Sequence, residues 1–390
     1  MSRLAFHMPT EQQLLRILSG EARGIGPTLA RAGLRLAEPL YATAMRLRNV
    51  AFERGWRKVH RLPLDTVSVG NLTTGGTGKT PVVRWLAERL RDAGRRPAIL
   101  MRGYTVGDAT VSDEQLMLEE QLHRGNHRRV IVHADPDRVA GAQAVVRHDP
   151  DADLFILDDG LQHRRAGRDF DLVLVSATNP FGYGHVLPRG LLREPLSGLK
   201  RADAVLITRA DQIEDLARGR IKQTIRQYNP DVPIYCARHV LTGVLLDNEA
   251  EITLRRDAPT LRLQGVRSPD AHPPEAFAAL GKLATPTVFA FAGIGDPAGL
   301  SAQLRLFAAH YAGEHWFGDH HAYSAADLAM LDAKARDAGA NLLLTTEKDW
   351  AKIRHLDRSS LATPIGRVAM AIRFMEDDEA RLLEQIMQAL

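Results

Sequence analysis

The residues most able to do chemistry are Val67-Ser68-Val69-Gly70-Asn71-Leu72-Thr73-Thr74-Gly75-Gly76-Thr77-Gly78-Lys79-Thr80, an apolar run passing through a glycine-rich turn into Gly-Lys-Thr. In such a turn successive backbone N–H groups can face phosphate oxygens, and a helix starting at the turn adds the partial positive charge of its N-terminus. Lys79 is expected to reach the β- and γ-phosphates of a nucleotide, and the Thr80 hydroxyl to bind Mg²⁺. Thr73, Thr74, Gly75, Gly76, Thr77 and Gly78 form the rest of the cradle. Thr73 occupies the first glycine position of the G-x-x-x-x-G-K-[ST] pattern, so the match departs there, while Gly75 and Gly76 keep the loop pliable. The bland reading is an ordinary glycine-rich turn; the order strand, Gly-Lys-Thr, helix argues against it.

A phosphate loop needs an acid on a neighbouring strand to hold its metal. Leu154-Phe155-Ile156-Leu157-Asp158-Asp159 ends an apolar run in two carboxylates, a segment resembling a Walker B strand. Adjacent carboxylates repel unless a cation or donor separates them, which favours a metal site over a helix cap when a phosphate loop accompanies them. Phosphoryl transfer also requires an oriented acceptor hydroxyl, a base and cations for the developing charge. Asp113-Glu114, Asp319-His320-His321, Arg102, Arg138 and Arg193 compete for those tasks, and each has a plain alternative as a solvated charge or a cap. The His pair lacks a second ligand set at a recognisable metal spacing.

These groups must be held by regular elements. From Asp65 onward, short apolar runs alternate with helical patterns, the signature of a parallel sheet with crossover helices. Strands are predicted at 66–69, 97–101, 130–133, 154–157, 172–175, 204–208 and 233–236, then at 287–292, 342–345 and 368–372. The fold class is α/β: a P-loop NTPase-like parallel sheet with helices on both faces, a smaller C-terminal α/β domain, and an N-terminal amphipathic helical segment. The expected division is 1–64 for the basic helical segment, 65–240 for the kinase-like domain, 241–284 for a linker and variable loop, and 285–390 for the smaller domain. Charges and Pro259, Pro269, Pro273 and Pro274 mark the linker, with room for a two-stranded ribbon.

The 390 residues suffice for two or three domains, and 45% apolar with 25% charged residues excludes disordered, collagenous and membrane-bundle classes. No apolar run approaches the roughly 20 residues of a spanning helix. The net charge of +4 is unevenly placed, since residues 1–65 carry eleven Lys and Arg against five Asp and Glu. A basic end on a near-neutral body points to an anionic surface, lipid or nucleic acid. Between about Thr28 and Phe52, Leu36, Leu40, Ala44, Leu47 and Ala51 share one helical face, with Arg31, Arg35 and Arg46 opposite. Such a helix either lies in a membrane interface or packs on its own domain. Cys236, the single cysteine, excludes an internal disulfide and reads as a core residue.

Taken together, the motifs resemble the tetraacyldisaccharide 4′-kinases of lipid A synthesis. The resemblance runs from about Glu38 onward through Val69-Gly70-Asn71-Leu72-Thr73, Gly75 to Pro81, Arg102-Gly103-Tyr104, Asp113-Glu114, Asp137-Arg138, Leu157-Asp158-Asp159-Gly160 with Gln162-His163, Leu192-Arg193-Glu194-Pro195, Phe291 to Gly295, Asp319-His320 and Thr346-Glu347-Lys348-Asp349. It implies transfer of phosphate from ATP, with Mg²⁺, to the 4′-hydroxyl of an acylated glucosamine disaccharide 1-phosphate, giving lipid IVA at the cytoplasmic face of the bacterial inner membrane. It further implies Asp113 as the catalytic aspartate with His320 as its partner, Lys79 and the loop amides on ATP, and Thr80, Asp158 and Asp159 around Mg²⁺. Arg102, Arg138, Arg193 and Glu194 would line the sugar-phosphate side.

The competing classes are a P-loop GTPase or metal-delivery NTPase, and a kinase of a soluble sugar. A guanine-reading Asn-Lys-x-Asp is replaced by Thr208-Arg209-Ala210-Asp211, and metal-delivery tracts rich in His or Cys are missing. Nucleic-acid binding is not expected, because the basic segment lacks interleaved aromatics beyond Tyr41, Phe52 and Trp56 and no reading module follows. No obligate protein partner is expected, and a peripheral contact with an anionic membrane is.

Overall fold

Strands covered by helices on both faces read as continuous apolar runs, and Asp65–Asn71 (β1) is buried from its second residue onward. The computed structural model describes residues 11–103, 113–123, 129–246, 251–253, 262–264, 286–294, 297–308, 310–318 and 321–390. The chain divides into two compact units, the first made of residues 1–103, 118–238 and 372–390, the second of 104–117 and 239–371.

In the first unit, α1 (Glu11–Ser19) and α2 (Ile25–Glu53) precede β1. Then follow α3 (Lys79–Asp92), β2 (Pro97–Met101), the part of α4 (Asp113–His123) from Leu118 onward, β3 (Ile131–Ala134), α5 (Arg138–His148), β4 (Leu154–Asp158), β5 (Phe170–Ser176), β6 (Ala204–Thr208), α6 (Asp215–Tyr228) and the start of β7 (Ile234–Leu246). The strands lie in the order β3-β2-β4-β1-β5-β6-β7, every pair parallel. The chain builds one side of β1, then crosses to build the other. That reversal leaves a crevice at the carboxyl ends of the central strands, where α/β sheets bind ligands.

Alternation of side chains across the strands supplies two cores. Val67, Val69, Ile156, Leu172 and Leu174 face Leu86 and Leu90 of α3, whereas Phe155 and Leu157 face Ala142 and Val145 of α5, and Val205 and Ile207 face Ile221 and Ile225 of α6. The closing helix Asp378–Ala389 also belongs here, although the sequence places it with the smaller domain. Its Leu382 and Ile386 enter the α3 core, and Glu379 Oε1 accepts from Trp85 Nε1 at 2.8 Å.

The second unit has a parallel array β11 (His310–Trp316), β10 (Thr287–Ala292), β12 (Leu342–Thr346) and β13 (Ile365–Phe374). The expected ribbon exists as antiparallel β8 (Glu251–Thr253) and β9 (Arg262–Gln264) beside the far end of β7. Helix Ala325–Asp337 opens with a capping box between Ser324 and Asp327. Among the described residues no helix is long and apolar enough to cross a membrane.

Candidate active site

β1 ends in Asn71 and the chain turns through Thr73 to Thr77 into α3. The loop's left-handed backbone falls on Gly75 (φ 103°) and Gly78 (φ 81°), where a side chain would be strained. Thr73 instead forms a bridge with Leu192, flanked by Thr74 N donating to Leu191 O (2.7 Å) and Arg193 N donating to Leu72 O (2.7 Å). Strand-like pairing needs no glycine, which is why the first glycine of the pattern is dispensable here. Gly78 caps α3 with no side-chain hydrogen bond, so no capping side chain takes up the first-turn amides. A Cβ built on Gly75 or Gly76 would meet nothing within 4 Å, so the cradle is open at its rim.

Lys79 and Asp159 meet below this cradle. Lys79 Nζ lies 3.4 Å from Asp159 Oδ1 and donates to Asn71 Oδ1 at 3.2 Å. Register explains the meeting, because Val69 of β1 pairs with Asp158 at the end of β4. Asp159 itself adopts φ 55°, a left-handed conformation uncommon outside glycine that turns its carboxylate towards the loop. Its other oxygen accepts from Arg193 Nη1 at 2.7 Å. Burial pushes the Asp159 carboxyl up, but the adjacent Lys79 and Arg193 cations outweigh it and hold the group below its ordinary value.

The donors suit Mg²⁺. Among the described residues no three His, Cys, Asp or Glu side chains converge into a self-sufficient metal cage. Mg²⁺ does not need one, since it takes one or two carboxylates plus a hydroxyl, phosphate oxygens and water. Asp159 Oδ1 is buried and faces the Lys79 ammonium, at 3.4 Å, which is the chemistry of an oxygen suited to a cation. Asp158 at the end of β4 and Asp159 just after it, with Thr80 in the first turn of α3, could supply the set.

The four residues assigned to the sugar-phosphate side separate. Arg193 is partly exposed and faces Asp159. Arg102 follows β2 and is exposed. Arg138, by contrast, is only 3% exposed, and its guanidinium donates to Asp135 O (3.0 Å) and Asp158 O (3.2 Å). Burial lowers its affinity for the proton. It therefore fixes the end of β4 from beneath. Glu194 is fully buried and accepts two bonds from Arg201 (2.8 and 2.9 Å), one from Asn49 Nδ2 of α2 (2.8 Å) and one from Gln162 Nε2 (3.1 Å). It is a structural hub with no face left for a substrate. Asp113 is the first residue of α4, but its side chain lies outside the described residues, as does His320.

Residues without a role in the sequence reading complete the site. Gln162 donates to Asn71 O (2.8 Å) and accepts from Arg193 Nη1 (3.2 Å). Thr208 Oγ1 donates to Thr77 O (2.9 Å) and Arg209 Nη1 to Gly76 O (3.0 Å), so the end of β6 clasps the loop. Asn71 and Gln162 stand inside the motifs that carry the resemblance, yet only the pairing of β1, β4 and the 190–194 segment shows what they touch. His163, next to Gln162, is half-buried beside Arg138, and desolvation pushes its pKa down to about 4, so it is neutral at physiological pH.

α2 packs in an unusual sense. Its polar face meets the domain: Glu38 accepts from His185 Nδ1 (3.0 Å) and Val186 N (3.1 Å), Tyr41 OH donates to Arg193 O (2.9 Å), and Arg48 bonds Gln162 O. Four of its five leucines face outward instead of packing on the domain; only Leu34 is half-buried. Ile25, Leu29, Leu36, Leu40 and Leu47 are between 63% and 82% exposed.

The model of the tetraacyldisaccharide-1-P 4′-kinase (LpxK) family matches residues 30–390. The chain belongs to this family. The kinase is 35% identical over 385 residues to the tetraacyldisaccharide 4′-kinase of Syntrophobacter fumaroxidans, covering 94% of this chain and 92% of that one. It is 38% identical over 326 residues to that of Geobacter metallireducens, covering 80% and 86%. The solved structure of LpxK from Aquifex aeolicus, described as an "apo" form in complex with ATP, superposes with a TM-score of 0.64 at 25% identity, covering 92% of this chain and 99% of that one. The kinase phosphorylates the 4′ position of a tetraacylated disaccharide 1-phosphate in lipid A synthesis, and the GTPase, metal-delivery and soluble-sugar alternatives fall away.

Proposed function

We propose that the kinase takes its phosphate from ATP held on the Thr73–Thr80 loop, with Mg²⁺ at Thr80, Asp158 and Asp159. The observation that carries this is the meeting of Lys79 and Asp159 at 3.4 Å under an open helix N-terminus. When bound, the metal ion neutralises phosphate charge. Lys79 and the loop amides orient the phosphates, and Arg193 keeps Asp159 ionised while presenting its guanidinium at the cradle's edge. Asp113, with His320 as partner, accepts the proton from the 4′-hydroxyl as that oxygen attacks the γ-phosphorus and the bond to the β-phosphate oxygen breaks, giving lipid IVA and ADP. Arg102 remains suited to the sugar-phosphate, whereas Arg138 and Glu194 act by positioning β4 and the 190–194 segment.

The substrate is a lipid, and the exposed leucine ridge of α2 with the basic first 65 residues fits docking on an anionic bilayer. A peripheral place on the cytoplasmic face of the inner membrane follows from that reading. The test is transfer of labelled γ-phosphate from ATP to purified disaccharide 1-phosphate in mixed micelles with and without Mg²⁺. Transfer that requires both ATP and the metal supports the proposal, and well-folded enzyme that transfers without Mg²⁺ refutes the metal assignment.

A further inference from the structure

We infer that Asn71 is the positioning residue for the phosphate-binding lysine, and that it performs the loop-shaping task left open by the missing first glycine. The inference rests on the reading of Lys79 as the ATP-phosphate ligand. Asn71 is the last residue of β1, fully buried, and paired in register with Leu174 of β5. Its amide is used at both ends. Oδ1 accepts from Lys79 Nζ (3.2 Å), while Nδ2 donates to Thr73 O (2.9 Å) and to Thr73 Oγ1 (3.3 Å). Its backbone oxygen accepts from Gln162 Nε2 (2.8 Å), and Gln162 also holds Arg193.

The chemistry at this position is demanding. An ammonium can only donate, so the group facing Lys79 must accept; two oxygens face the other end, so that group must donate. The network itself therefore orients the amide. Aspartate would accept from Lys79 but could not donate to Thr73, and would place a second carboxylate beside the same lysine as Asp159. Alanine or leucine would leave the Thr73 carbonyl without this donor. Because Asn71 Oδ1 is neutral, Lys79 is steered without being neutralised and keeps its charge for the phosphates. The same amide holds Thr73 in its strand-like conformation ahead of Lys79, so the two ends of the cradle are tied to one buried side chain.

A double-mutant cycle on the full chain tests this, with kcat and KM for ATP measured alongside the thermal unfolding midpoint. Lys79→Ala must first abolish most of the activity; if it does not, the ATP-loop reading itself fails. Given that loss, Asn71→Ala in the wild-type background should lower kcat/KM for ATP about tenfold or more, yet cost less than about twofold in the Lys79→Ala background, because its target is gone. Equal fold losses in both backgrounds would show that Asn71 is merely structural and overturn the proposal. Should Asn71→Ala not fold, Asn71→Asp serves the same cycle; it is expected to lower kcat more than it raises KM, and an activity within twofold of wild type would also overturn the proposal.

Discussion

Arg193 Nη1 and Asp159 Oδ2 lie 2.7 Å apart, so the carboxylate proposed for the metal is shared between a guanidinium on one side and Lys79 on the other. Both cations lower the Asp159 pKa against the opposing effect of burial. Removing Arg193 takes away one of them, so the Asp159 pKa must rise. Arg193→Ala is therefore expected to shift the acidic limb of the kcat/KM profile to higher pH as well as to lower its plateau. A pH–rate series from mildly acidic to neutral conditions checks this, and an unmoved acidic limb would separate Arg193 from Asp159 ionisation.

Asp113 opens α4. If it accepts the proton of the 4′-hydroxyl, Asp113→Ala should depress kcat by roughly 10²–10⁴ with little change in ATP affinity. Single-turnover phosphoryl transfer together with direct ATP binding would reveal the split; a near-normal kcat removes Asp113 from the role.

Glu194 buries a charge that Arg201 neutralises, with Asn49 and Gln162 filling its remaining acceptor sites. Truncating one partner of a buried pair leaves the other charge uncompensated, at about 3–5 kcal/mol. Glu194→Ala should therefore lower the urea midpoint substantially. It should also loosen α2, because Asn49 loses its acceptor, and limited proteolysis near residue 49 would report that.

Leu36, Leu40 and Leu47 contribute little to folding, being 81%, 77% and 63% exposed. Changing all three to Ser should leave the unfolding midpoint near wild type. Vesicle binding is another matter: at about 1.5–3 kcal/mol per leucine fully buried in lipid, partition onto anionic vesicles should weaken by about a hundredfold or more. Sedimentation with anionic vesicles at two salt concentrations measures it, and unchanged binding would assign the ridge to something other than a bilayer.

Local pattern alone determined a good deal of this kinase. The Gly75–Thr80 loop, the carboxylates ending Leu154–Asp158 and the alternation of strand and helix are each written within a few consecutive residues, because glycine conformation, helix polarity and apolar periodicity act at short range. The helical span of α2 and the strands at 97–101, 204–208 and 287–292 were legible for the same reason. What a residue touches across the sheet was not. Arg138 and Glu194 share residue types with substrate-binding groups, and only strand pairing and burial turned them into internal anchors. Gln162 finds the Asn71 carbonyl through the pairing of β4 with β1, which no local spacing encodes. The outward leucines of α2 mark the same divide: periodicity shows that a helix has two faces, but which face meets the protein depended on whether Glu194, Arg193 and His185 stood ready to bond its polar side.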